Sequence, residues 1–105
     1  MTTFDNRERA FEDKFAHDAD LRFKVAARRD RLVGLWAAEQ LGHSGEAAEA
    51  YATSIVVADL EEAGDEDVVR KLLADLSNAG ITEAAVRAAL ATAGETARKQ
   101  IMEAM

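Results

Sequence analysis

The sequence predicts an all-α fold, a small four-helix bundle, and three observations carry that expectation. Proline is absent from the 105 residues, while Ala, Leu, Glu and Arg, which lose little rotamer freedom in a helix, are abundant. Glycines fall where helix ends belong, at Gly42 with Gly45, at Gly64 and at Gly80, and three breaks make four helices. Apolar residues recur at helical rather than strand spacing. Even the longest β-branched run, Ile55-Val56-Val57, is flanked by alanines and acids at helical spacing and reads as a buried helix face.

Helix one is expected from Phe4 to Leu41, the last residue before Gly42. Its second half carries the stripe Leu21, Val25, Leu32, Leu35 and Trp36, with Trp36 as the largest core anchor. Helix two is expected from Glu46 to Glu62 behind an N-cap at Ser44, and presents Tyr51, Ile55, Val56 and Leu60. Helix three, Glu66 to Asn78, follows a cap at Asp65 and buries Val68, Val69, Leu72, Leu73 and Leu76. Helix four, Glu83 to Ala104, follows a cap at Thr82 and turns Val86, Leu90, Ala93 and Ile101 inward. Acids open helices two to four, where the helix dipole favours them. Short connections make neighbours antiparallel, which is the bundle arrangement.

The first fifteen residues stand apart. They hold three of the four phenylalanines, Phe4, Phe11 and Phe15, within an otherwise charged segment. At helical pitch these three lie within roughly 40° of one another. Burying them is worth about 1.5 to 3 kcal/mol each. Projected along one continuous rod, the stripe from Leu21 to Trp36 is rotated from the phenylalanine stripe by roughly 80° to 90°. The two faces therefore suggest two jobs. The chain divides into an arm, residues 1–18, mobile or projecting and suited to a partner, and a bundle, residues 19–105. The alternative is a kink around His17-Asp18-Ala19-Asp20 that resets the phase and folds the arm back over its own bundle.

Charge is uneven: Met1 to Arg31 sums to +1 and Leu32 to Met105 to −8. An acidic body repels phosphate backbones, so no nucleic-acid partner is expected, and the basic cluster Arg28, Arg29 and Arg31 reads as a solvated helix face. No apolar run approaches the roughly 18 residues that span a bilayer, and the first residues lack the regions of a signal peptide. A cytoplasmic protein without direct membrane insertion is expected.

Catalytic groups are scarce. Cysteine is absent, no glycine-rich phosphate loop is present, and the two histidines, His17 and His43, stand in different segments and read as surface residues. The carboxylates Glu61, Glu62, Asp65, Glu66 and Asp67 form the densest acidic cluster, yet lack the alternating spacing of an EF-hand and read as a solvated interhelical corner. No enzyme, cofactor or metal site is expected. A metal- or nucleotide-binding corner at Glu61 to Asp67 is the weakest of three readings, behind a generic helical adaptor that uses its aromatic stripe.

The leading reading comes from resemblance. Met1 to Ala10 and Glu12 to Asp18, then Arg28-Arg29, Gly34-Leu35-Trp36-Ala37-Ala38, Tyr51-Ala52 and Gly64-Asp65-Glu66-Asp67-Val68, resemble in order the zeta subunit family. These are inhibitors of the F-type ATP synthase of alphaproteobacteria. The likeness runs to about Asp75 and fades over helix four. Ala63 departs from the proline expected before Gly64 in relatives, which bears on the rigidity of that corner. The resemblance implies a four-helix bundle whose N-terminal segment inserts at a catalytic interface between the alpha and beta subunits, with gamma as a further neighbour, and blocks ATP hydrolysis while permitting synthesis. It places the protein in the cytoplasm, peripheral to the inner membrane through the synthase. The partner-binding residues it implies are Thr3, Phe4, Asp5, Arg7, Glu8, Arg9, Phe11, Glu12, Lys14 and Phe15. Phe4, Phe11 and Phe15 are the apolar anchors.

Overall fold

A computed structural model describes the backbone of residues 3–61 and 64–104 and the side chains of residues 6–61 and 64–104. Glu62 and Ala63, the corner residues singled out above, lie outside the described residues. The described chain is all-α: α1 (Thr3–His17), α2 (Ala19–Gln40), α3 (Gly45–Glu61), α4 (Asp65–Asp75), a 3-10 turn (Ser77–Ala79) and α5 (Glu83–Ala104).

Helix one is thus two helices, which corrects the expectation of one rod from Phe4 to Leu41. Asp18 takes an extended backbone, φ −111° and ψ 106°, and its carboxylate accepts the amide of Leu21 at 3.1 Å. An aspartate at this position satisfies an amide that α2 would otherwise leave unpaired, and Asp20 in the first turn suits the helix dipole. The break resets the phase. Phe11 packs with Leu21 and Val25 of α2 and with Ala97 and Met102 of α5. The arm lies against the bundle in this structure, the arrangement that a kink at residues 17–20 allows.

At the other end of α2, the Gly42 amide donates to the Glu39 carbonyl at 3.1 Å and the His43 amide to Ala38 at 2.9 Å. Gly42 has φ +80°, a conformation that L side chains rarely adopt. Thr82 caps α5 as expected, its hydroxyl accepting the Ala85 amide at 3.2 Å. The cap of α4 differs. Gly64 precedes the helix at φ +102°, and Asp65 is its first residue, with its carboxylate turned to Arg29 instead. The third bundle helix also ends earlier than expected, at Asp75, and the chain continues through the 3-10 turn.

Four helices share one core. Val33 and Ala37 of α2, Ile55 of α3, Val68, Val69 and Leu72 of α4 and Val86, Leu90 and Ala93 of α5 are buried together, with Leu76 at the end of α4. Trp36 is not the centre of that core. It packs from the edge, half-buried, beside an open groove of about 530 Å³ between α2 and α5. A close helix crossing rests on Gly34. A Cβ built there would stand 2.7 Å from the Cα of Ala52, so α2 and α3 approach at a distance that only glycine admits.

Beside this crossing lies the one buried charged residue among the described side chains, Asp30. The guanidinium of Arg29 donates to it at 2.9 and 3.0 Å, and reaches Asp59 of α3 at 3.6 Å and Asp65 of α4 at 2.9 Å. Arg29 therefore ties three helices together and is no solvated residue, a correction to the reading of Arg28, Arg29 and Arg31 as one exposed face. Arg28 and Arg31 do lie outside, bonded to Gln100 at 2.7 Å and Glu49 at 2.6 Å. Burial, then the hydrogen bond with Asp59, outweigh Arg29 and push the Asp30 carboxyl up to about 8.

Candidate functional site

The residues implied in partner binding all belong to α1, and the structure divides them into two groups. Arg7, Glu8, Arg9, Glu12 and Lys14 are exposed. Phe11 and Phe15 share one side, flanked by Glu8 and Glu12 and one helical turn apart, with ring centroids 6.0 Å apart and planes inclined by 24°. Thr3, Phe4 and Asp5 continue the helix by their backbone, and their side chains lie outside the described residues. The expected stripe is thus present at Phe11 and Phe15.

What covers it is this chain's own α5. Phe11 is 2% exposed, and Phe15 packs at the border of the same cluster. Arg98 lies over both rings, its guanidinium carbon 5.9 Å from the Phe11 centroid and 5.1 Å from that of Phe15. A guanidinium at this range is held by the negative face of the aromatic ring. The same group donates to the carboxylate of Glu12, which lies between the two phenylalanines in sequence. Beside this contact, Glu8, Glu95, Lys99 and Met102 frame a shallow groove of about 200 Å³.

The sequence reading missed Arg98. Its partner Glu12 is 86 residues away, and only the break at Asp18 brings them together. A weak signal exists in the apolar Ala97, Ile101 and Met102 that surround it, which extend the inward face of α5 past what the bundle core uses.

The acidic corner is occupied from within the chain. Asp65 bonds Arg29, Glu66 takes a bidentate bond from Arg87 at 2.9 and 3.0 Å, and Asp67 pairs with Arg70. Hydrogen bonding from Arg87 holds the Glu66 carboxyl below its ordinary range. Among the described residues no group of three His, Asp or Glu side chains converges as a metal site. His17 closes α1, and His43 stands 6.2 Å from the ring of Tyr51. No described helix is long and apolar enough to cross a membrane.

A solved structure, a solution NMR structure, is 49% identical to this chain, with a TM-score of 0.73, covering 81% of this chain and 99% of that one. The fold is therefore shared with an experimentally determined relative. No curated protein matches. Residues 1–100 match the family described as ATPase inhibitor subunit zeta, a span that takes in α1, the Asp18 break, the whole bundle core and Arg98. By that match the chain belongs to the ATPase inhibitor zeta family, a family of regulatory subunits.

Proposed function

We propose that this protein restrains ATP hydrolysis by an F-type ATP synthase, and that α1 is the part that does so by inserting at a catalytic interface between alpha and beta subunits. Membership of the inhibitor family supports the regulatory role. The observation that carries the finer reading is the separation of α1 from the bundle core: no described side chain of α1 enters the four-helix core, and the chain passes into α2 through one capping residue, Asp18. The arm can leave without dismantling what remains.

On leaving, α1 would present Phe11 and Phe15, with Phe4 one further turn pair back, as apolar anchors. Thr3, Asp5, Arg7, Glu8, Arg9, Glu12 and Lys14 would make polar contacts around them. A fifteen-residue helix is marginal alone in water, so part of the contact energy would be spent on ordering it. The bundle would stay outside the cleft as a grip, and the protein would sit in the cytoplasm, at the membrane only through the synthase. The gamma subunit is a further neighbour of such a cleft.

The test is removal of residues 1–18. Inhibition of the purified cognate ATPase should disappear while circular dichroism and thermal unfolding show the bundle still folded. Undiminished inhibition by the shortened chain overturns the proposal. A pull-down that loses some other protein on removal of the arm, and never contained synthase subunits, supports the adaptor reading instead.

A further inference from the structure

We propose that Arg98 is a clasp that holds α1 shut on α5, so that opening of this contact limits how fast the free protein engages its partner. The inference rests on the reading of α1 as the inhibitory arm and adds a restraint built into the same chain. It starts from a conflict of surfaces. Phe11 and Phe15 are the apolar anchors of α1, and both ring faces are turned to Arg98. A ring cannot lie under Arg98 and in a partner's cleft together. The docked and engaged arrangements of α1 are therefore mutually exclusive.

The clasp is strong enough to matter and weak enough to open. One guanidinium serves three groups at once, the two rings and the Glu12 carboxylate, so its side chain is ordered once for all three contacts. Yet its side chain keeps 39% of its exposure and Glu12 keeps 57%, so water and salt reach the pair. Beneath the guanidinium, Phe11 is the one described side chain of α1 that is buried, against Leu21, Val25, Ala97 and Met102. Opening costs one aromatic burial and one shared cation, while the core of α2 to α5 keeps its contacts. Released, Glu12 also becomes available to a cation of the partner.

Two variants test this on the full chain. Arg98→Ala removes all three contacts. Arg98→Lys keeps a charge for Glu12 and gives up the planar group over the rings. Hydrogen exchange of α1 amides is measured in the free protein, with no ATPase present. For Arg98→Ala, protection over residues 8–15 should fall about tenfold, with α3 and α4 unchanged, and Arg98→Lys should fall between it and the original chain. In a second measurement the onset of inhibition of the cognate ATPase should accelerate by a similar factor in Arg98→Ala. Unchanged α1 protection overturns the clasp whatever the ATPase does. Loosened α1 with an unaltered or slower onset overturns its role as a restraint. Failure of the inhibitory reading itself is seen separately, as inhibition that survives removal of residues 1–18.

Discussion

The molecule has two apolar clusters, and they are built to different rules. The core of α2 to α5 draws Val33, Ile55, Val68, Leu72, Leu76 and Val86 from four helices, each of them almost fully enclosed. The cluster under α1 holds Phe11, Leu21, Val25, Ala97 and Met102, is closed on its outer side by Arg98, and leaves Phe15 at its border. In the first, every helix needs every other. In the second, one helix lies on a finished surface. Among the described side chains, α1 contributes none to the shared interior of the four helices it lies on.

The sharpest way to break this comparison is one substitution in each cluster. Leu72→Ala should cost about 2 to 5 kcal/mol in global unfolding by denaturant, because the cavity opens where four helices meet. Phe11→Ala deletes a larger side chain, yet should move the global midpoint far less, because the loss is limited to the docking of α1. Its effect should appear in hydrogen exchange, as protection lost from α1 alone. Equal shifts in the global midpoint would merge the two clusters into one cooperative unit.

A smaller effect is expected at Gly34. Alanine there improves helix propensity by about 1 kcal/mol, but its Cβ meets the backbone of Ala52 and must push α3 away. Net destabilisation by about 1 kcal/mol in thermal unfolding is expected, and a stabilised Gly34→Ala would show that the crossing has slack.

A further effect is read from pH. Asp30 titrates near 8 in the folded chain against about 3.8 for an ordinary aspartate, so the folded state holds a proton that the unfolded chain releases. The stabilisation is complete below pH 4 and is lost as pH rises towards 8. Asp30→Asn should flatten that part of the profile. Between pH 5 and 8 the original chain should lose more in melting temperature than the variant does. Parallel profiles would show that Asp30 stays ionised beside Arg29.

Much of the bundle was legible in the sequence because its signals are local. Gly42 and Gly80 mark helix ends, Thr82 caps α5, and Val68, Val69, Leu72 and Leu76 face inward as their spacing requires. The phenylalanine stripe was legible for the same reason. Phase comparison even separated it from the core stripe, though the break at Asp18, and with it the docking of α1, remained one of two alternatives. What could not be read depends on tertiary placement. Arg29 looked like one of three basic neighbours, and only α3 and α4 supply the Asp59 and Asp65 that draw it in. Trp36 looked like a core anchor by size, but its position at the α2 to α5 border leaves one side open. Arg98 carried no signal beyond the apolar residues beside it.

The break at Asp18 has a mechanical consequence. A continuous helix from Phe4 to Gln40 would act as a lever, so that torque on its tip would twist the bundle to which its other end belongs. At Asp18 the backbone is extended, and the carboxylate seals the first turn of α2 on its own account. The helical ladder of α2 thus starts afresh at Asp18 instead of continuing that of α1. On the proposed reading of α1 as the inhibitory arm, a turn applied to its tip would not be carried into α2 by a continuous helix.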